Sequence, residues 1–491
     1  MDRIKSWLKE YGLAVLICAQ PLLDVLAFWT KSESGTAAGV IRLAVMALLC
    51  LFVLVKIKDY RRFIPSAAAV ALVFLLHAVS CVRNGYQGFM SDTRMILCMI
   101  YLPVTAVCFC CLMDSEKRRD QAVKAIMINF ALESLVILLA VVTGTGTHTY
   151  QEGIGISGWV IPDNRCCHSD ILSSVCVFAG YLAVTSKKKW INIAVPAVCF
   201  VLLITNGTTV SYVTLLAICA GYPVFLLLRS LVRREKQDAS QRIVSITMAV
   251  LFVLSIIIFP WTPRYKMDEI KRSTFDEREE RFAAEMDALG YNVYAMTLED
   301  IFGDEVAHQH FIDYYKTFVY GEVDILGRIY SFDRIIAAYK GTVNADILGD
   351  TRDMKNVYVR FIFEDSDLFT RMFGIEYDSI GKDKVNDLEN DWFAILFYLG
   401  YFGFALAAAA VLYLLYRILR LLIRDFRGAL TDLNFALLLG FAMQLGMGYF
   451  SGAVMRRPNA SVYVALFIAM IFYNTRKSDD PVGIKAAEDE G

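Results

Sequence analysis

The sequence predicts an all-α polytopic membrane protein of about 12 transmembrane helices, with a large, mostly helical extracytoplasmic domain between helices 9 and 10. Three observations predict it. Of the 491 residues, 57 % are hydrophobic and only 20 % charged, and mean hydropathy is +0.47, whereas a soluble chain of this length carries more charge. Apolar runs of about 17–25 residues, long enough to cross the hydrocarbon core, recur along the chain. Lysine and arginine crowd alternate connections between those runs, as the positive-inside rule requires.

Taken in order, the spans run over about 10–28, 38–56, 64–82, 94–113, 122–142, 169–186, 190–206, 209–229, 243–260, 392–415, 433–452 and 459–474. The first has a basic flank (Arg3, Lys5, Lys9) like a secretory leader. It lacks a small-residue cleavage site and continues through "QPLLDVLAFW", which predicts a retained helix. "KIKDYRR", "SEKRRD", "KKKW", "RSLVRREKQ", "RILRLLIRDFR" and the "RK" of the tail all fall on one side. Both termini are therefore expected in the cytoplasm of a multi-pass cell-membrane protein. The expected organisation is helices 1–9 in 1–260, an extracytoplasmic domain in 261–391, helices 10–12 in 392–475 and a cytoplasmic tail in 476–491.

The segment 261–391 is far longer than an ordinary loop, so it is a domain or a lid. It holds 28 acidic against 16 basic residues. "STFDEREERFAAEMDALG" and "FDRIIAAYKGTVNADILG" show helical spacing with glycine stops, and "VYVRFIFE" predicts packing rather than disorder.

Several function classes are disfavoured. No Walker, Rossmann or zincin pattern is present, which argues against a nucleotide-driven pump. A net charge of −1 gives no footing for nucleic acid. No cofactor is expected, and no metal: most of the twelve cysteines lie inside spans as small apolar residues, and "CCH" at 166–168 lacks zinc-site spacing. "AHQHF" (His308, His310) and "EDSDLF" at 364–369 read as solvated surface.

Ionisable groups in or beside spanning helices are costly and usually functional. With the expected orientation, Asp24, Arg42, His77 and Gln444 fall in outer helix halves, and Arg83, Arg94, Arg165, Arg456 and Arg457 at outer junctions; Glu133 lies near mid-membrane. Each has a plain structural reading. Asp24 can satisfy backbone groups freed by Pro21, His77 can be an interhelical donor, and Arg42, Arg83 and Arg94 can anchor headgroups. Together they describe an arginine-rich anion site open to the outer leaflet. Guanidinium groups hold phosphate bidentately. No ATP is available outside the cytoplasm, so a leaving group there must arrive activated. A sugar on a lipid diphosphate meets that need, with a carboxylate to take the acceptor proton.

"NDLENDWFAILFYLGYFGF", 386–404, puts Glu389 and Asp391 on the threshold of the tenth span. Both can serve as helix caps. Residues two apart diverge on a helix, so one of the two faces the polar site. Glu389 is the expected base and Asp391 the cap or acceptor-positioning residue, with the reverse order open.

A series of motifs resembles the O-antigen ligase and polymerase superfamily, in particular its capsular-polysaccharide polymerase-like branch. "QPLLDVLAFW" is similar to the family's opening Pro-x-Leu-Asp helix, and "GISGWVIPDNRCCHSDILSSVCVF" resembles its Gly-rich outer loop ending in a Pro-(x)-Asn turn. "LITNGTTVSYVTLLAI" resembles its helix pair with a tight outer turn, and "LFTRMFGIEYD" its Leu-Phe-Gly-x-Gly stretch. "LENDWFAILFYLGYFGF" stands at the place of the ligases' His-Asn-x-x-Leu…Gly or the polymerase-like Glu-x-Asp…Gly. The resemblance implies a GT-C-like membrane glycosyltransferase that polymerises or transfers polyprenyl-diphosphate-linked oligosaccharide on the outer face. Its implied partners are the lipid-linked donor and acceptor, the bilayer, a chain-length regulator and a flippase.

Two departures matter. Thr208 and Thr209 stand where relatives carry Arg or Lys, so the diphosphate-binding bases are sought at Arg165, Arg456 and Arg457, with Arg94 and Arg83 behind them. Glu389 stands where ligases have His, which favours the polymerase-like branch. Asp24, His77, Asn164 and His168 are further candidates. The alternatives are a ligase that attaches glycan to another acceptor and, from another class, a polysaccharide flippase or secondary transporter.

Overall fold

The computed structural model describes residues 2–30, 36–56, 64–150, 152–161, 165–318, 330–377, 388–452 and 454–479. Among them there is no strand, only an isolated antiparallel bridge between Thr147 and Gly158. Among the described residues, ten helices are long and apolar enough to cross a membrane. The other two expected spans are helices as well: Ile64–Arg83, whose apolar stretch Ala67–Arg83 is shorter, and Pro458–Asp479. The all-helical polytopic class read from hydropathy therefore holds. The chain divides into two units, Met1–Ala67 with Met95–Tyr265 and Leu406–Gly491, and Ala68–Arg94 with Lys266–Ala405.

The first unit is built from α1 (Asp2–Trp29), α2 (Thr36–Lys56), most of α4 (Phe89–Leu112), α5 (Glu116–Val142), α6 (Arg165–Thr185), α7 (Lys189–Asn206), α8 (Thr209–Arg233) and α9 (Ala239–Ile257). Helix α6 is its axis. Of its apolar stretch Cys167–Thr185, 89 % is buried, against 17–44 % in the others of the ten long apolar helices; Pro458–Asp479 is mostly buried as well. Small residues on α6 let neighbours close in: an added Cβ at Gly180 would collide with the Tyr222 ring of α8, and the Tyr222 hydroxyl donates to Val177 O at 2.6 Å.

The α7–α8 turn is local chemistry. Helix α7 ends at Gly207, whose φ of +74° is the left-handed conformation glycine adopts freely. Thr208 then N-caps α8 by accepting from Ser211 N at 3.1 Å. Buried Asn206 gathers the turn, its Oδ1 accepting from Ser211 Oγ (2.7 Å), Ser169 Oγ (2.9 Å) and Thr208 Oγ1 (3.1 Å).

The second unit holds α10 (Pro263–Ala288, from Lys266), α11 (Leu298–Gly303), α12 (Glu305–Phe318), α13 (Phe332–Ala338), α14 (Ala345–Leu348), α15 (Thr351–Asp365) and α16 (Leu368–Phe373). Its core is aromatic: Phe282 stacks on Tyr314 at 4.0 Å, with Phe311 and Phe318 edge-on nearby. This unit also takes the end of α3 (Ile64–Arg83), the first turn of α4, and the start of α17 (Asp391–Arg424). Helix α17 is broken at Gly400 (φ 67°, ψ −174°). The break frees backbone carbonyls, and Phe397 O accepts instead from Ile375 N at 3.0 Å. The short α18 (Phe426–Ala429), α19 (Asp432–Phe450) and α20 (Pro458–Asp479) complete the first unit.

Candidate functional site

The acidic triplet before α17 divides its labour. Asn390 performs the cap, its Oδ1 accepting from Phe393 N at 3.0 Å. Asp391 opens the helix with its side chain fully buried, where the helix N-terminus favours a carboxylate. Glu389 stays outside the helix and turns to α15. There Arg352 Nε donates to Glu389 Oε2 at 2.6 Å and Lys355 Nζ to Oε1 at 3.1 Å.

Arg352 and Lys355, three apart, share one face of α15, whose start is fixed by Asp350 accepting from Arg352 N at 3.0 Å. The Lys355 side chain is 7 % exposed and that of Glu389 34 %. Burial pushes the Glu389 carboxyl up, but the opposing charges of Lys355 and Arg352 and their hydrogen bonds outweigh it, and its pKa is lowered. The sign follows: a carboxylate with a depressed folded-state pKa stabilises above its unfolded value and loses that contribution as pH falls through the folded one. We expect the Glu389 contribution to be intact at neutral pH and lost only below the ordinary glutamate value of about 4.3. Comparing acid unfolding of the wild type with that of Glu389→Gln checks this, since the variant lacks that segment of the curve.

The same unit holds His77, Arg83 and Arg94. His77 is fully buried, its Nδ1 3.1 Å from Phe373 O and its Nε2 3.1 Å from Asp92 Oδ2. Arg83 pairs with Asp367 at 2.8 Å and lies 4.8 Å over the Phe369 ring, with both charged partners about half exposed. Arg94 is exposed and makes no ion pair among the described residues. None of these three touches Glu389.

The first unit gathers a separate, buried set. Arg42 is 4 % exposed, so it does not serve as a headgroup anchor; it donates to Asp24 Oδ1 at 2.9 Å and to Gln20 Oε1 at 3.0 Å. His168 Nε2 lies 3.2 Å from Glu133 Oε2, and Asp24 is within electrostatic reach of both. Such intramembrane charges persist when paired. Arg456 is buried and donates to Gly452 O at 3.0 Å. Arg457 is half-buried, and its carbonyl accepts the amides of Ala460 and Ser461 at the start of α20. Arg165 is the first residue of α6; its side chain and the whole of Asn164 lie outside the described residues.

The sequence reading missed Arg352, Lys355, Asp92 and Glu376. A basic pair three apart within an acidic, helix-patterned segment was the available signal for the first two. Asp92 lay two residues ahead of the expected start of its span.

The fold defines the class: a multi-pass helical membrane protein whose polar side chains are paired inside it or gathered at the threshold of a broken span. The chain belongs to the O-antigen ligase like membrane protein family, whose model matches residues 8–478. Membership supports glycosyl transfer of ligase or polymerase type. No curated protein and no solved structure matches the chain.

Proposed function

We propose that the protein is a membrane glycosyltransferase. It extends a glycan carried on polyprenyl diphosphate at the outer face of the membrane, with both termini in the cytoplasm. The observation that carries this reading is the pairing of Glu389 with Arg352 and Lys355 beside the start of α17. Two fixed cations close to a span suit a diphosphate whose polyprenyl tail stays in the bilayer. Glu389 offsets one of these two positive charges.

A diphosphate carries more charge than a carboxylate and competes for the same donors. Its arrival strips Glu389 of its cations and sets a negative group beside it, both of which raise the carboxylate's pKa. Glu389 thereby becomes a competent base when the donor is bound. The acceptor hydroxyl attacks the anomeric carbon and its proton passes to Glu389. The bond from that carbon to the diphosphate oxygen breaks, and the departing charge falls on Arg352 and Lys355. Asp391 is assigned to positioning. Arg83 and Arg94, in the same unit, are kept as further diphosphate ligands to be tested; Arg165, Arg456, Arg457, Asp24, Asn164 and His168 are tested one by one with no place assigned in this site.

Reconstitution in liposomes with lipid-linked oligosaccharide tests the reading. A ladder of products is expected. A single transfer to a different acceptor converts the assignment to ligase, and movement of the lipid-linked glycan across the bilayer without any new glycosidic bond replaces it with transport. A reporter fused after Asp391 is expected to be active only outside the cytoplasm.

A further inference from the structure

We propose that His77, Cys81 and Asp92 form a buried zinc site that clasps the end of α3, the start of α4 and the segment 373–377. The inference is independent of the transfer reaction. His77 and Cys81 are four apart and so share one face of α3, and Asp92 meets them from the first turn of α4. Their exposures are 0 %, 1 % and 2 %, and their ligand atoms all lie within 4.8 Å of one another.

The hydrogen bonding states the problem that a cation solves. Phe373 O can only accept, so His77 Nδ1, 3.1 Å away, carries the hydrogen. In a neutral ring Nε2 is then a bare lone pair, yet it faces the Asp92 carboxylate at 3.1 and 3.3 Å and Cys81 Sγ at 3.4 Å. Two acceptors do not approach like this without a proton or a metal between them.

The surroundings of the trio are acidic. Glu376, 4 % exposed, lies in the same pocket, with its carboxylate held by the amides of Gln87 and Gly88. Asp92 takes the Tyr86 hydroxyl at 2.6 Å and the Tyr377 amide at 3.1 Å. Neither carboxylate meets a lysine or arginine among the described residues. A proton on His77, or a zinc ion bound by a Cys81 thiolate, leaves the pocket with the same net charge; the metal differs in giving all three clustered side chains one shared partner.

Two of the three separations fit as well. With zinc bonds of ordinary length, a tetrahedral site separates nitrogen from oxygen by about 3.3 Å and nitrogen from sulfur by about 3.6 Å. The supporting contacts are those of a metal site: a carbonyl fixing the histidine tautomer, and two donors orienting the carboxylate. The fourth corner falls to a water or to the Tyr86 hydroxyl. With all three ligands buried, the site is structural.

The test uses the full-length, tag-free protein in detergent. Elemental analysis is expected to find about one zinc per chain, falling tenfold or more in Cys81→Ser, in line with the loss of a ligand. Protein grown on cobalt is expected to show a thiolate-to-cobalt charge-transfer band. Zinc retained undiminished in a folded Cys81→Ser overturns the proposal. So does wild-type protein that takes up no metal and shows no such band, because the trio is then an imidazolium–carboxylate pair with a neighbouring thiol. The wild-type cobalt spectrum decides the matter if the variant does not fold.

Discussion

Glu389→Gln is expected to lower glycan transfer by about 10²–10⁴-fold, the range a positioned general base supplies. The protein should still elute as a folded species. Glutamine keeps the shape and an acceptor oxygen for Arg352 and Lys355 but cannot take the proton. The substitution also leaves two cations without their counter-charge, so its effect has to be divided between chemistry and structure. A double-mutant cycle divides it. If Glu389 matters only as the partner of Arg352, then Arg352→Gln alone should be as damaging, and combining the two should cost little more than either. If Glu389 is the base, Arg352→Gln weakens donor use while leaving measurable turnover, and the double variant is as inactive as Glu389→Gln. Wild-type ladders from Glu389→Gln would remove the residue from the chemistry.

The pairing behind this prediction was only half legible in the sequence. Glu389 and Asp391 announced themselves by standing against a long apolar run, because a charge beside a span is costly wherever it has no purpose. Their division of labour did not, since it depends on which residue captures the helix amide, and Asn390 does so. Arg352 and Lys355 are far from Glu389 in the chain and sit on a solvated helix, where a basic residue is commonplace. Nothing local marks them as converging on one carboxylate. The spans were read almost completely for the opposite reason: twenty apolar residues have few soluble alternatives, and their signal is contained in the window that forms them. Asp24 shows the middle case. Its position near Pro21 offered a local explanation, yet its partner is Arg42 on the next helix. For Arg42 the sequence leaves an interfacial anchor open, because burial is not visible in one dimension. His77, Cys81 and Asp92 went unrecognised as a set because their spacing belongs to no familiar metal motif, and the turn between α3 and α4 is what closes them.

Gly374→Ala and Gly400→Ala are each expected to destabilise the second unit by about 2–6 kcal/mol, combining backbone strain with overpacking. Gly374 has φ 95° and ψ 170°, and Gly400 φ 67° and ψ −174°, a region open essentially to glycine alone. Space is missing as well as conformation. A Cβ on Gly374 would run into the carbonyl of Tyr398, and one on Gly400 into the backbone of Met372 and Phe373. Backbone cannot swing aside as a side chain can. The two glycines therefore let the end of α16 cross the break in α17. That crossing places Gly374 O to accept from Ser80 Oγ at 2.8 Å and sets Phe373 O against His77. Forcing the chains apart should thus disturb the α3–α4 turn as well as the start of α17. Thermal unfolding in detergent measures the effect, with Gly446→Ala as the control, because an added Cβ there meets nothing within 4 Å. Either crossing variant melting with the wild type would mean that α17 bends for some reason other than this contact.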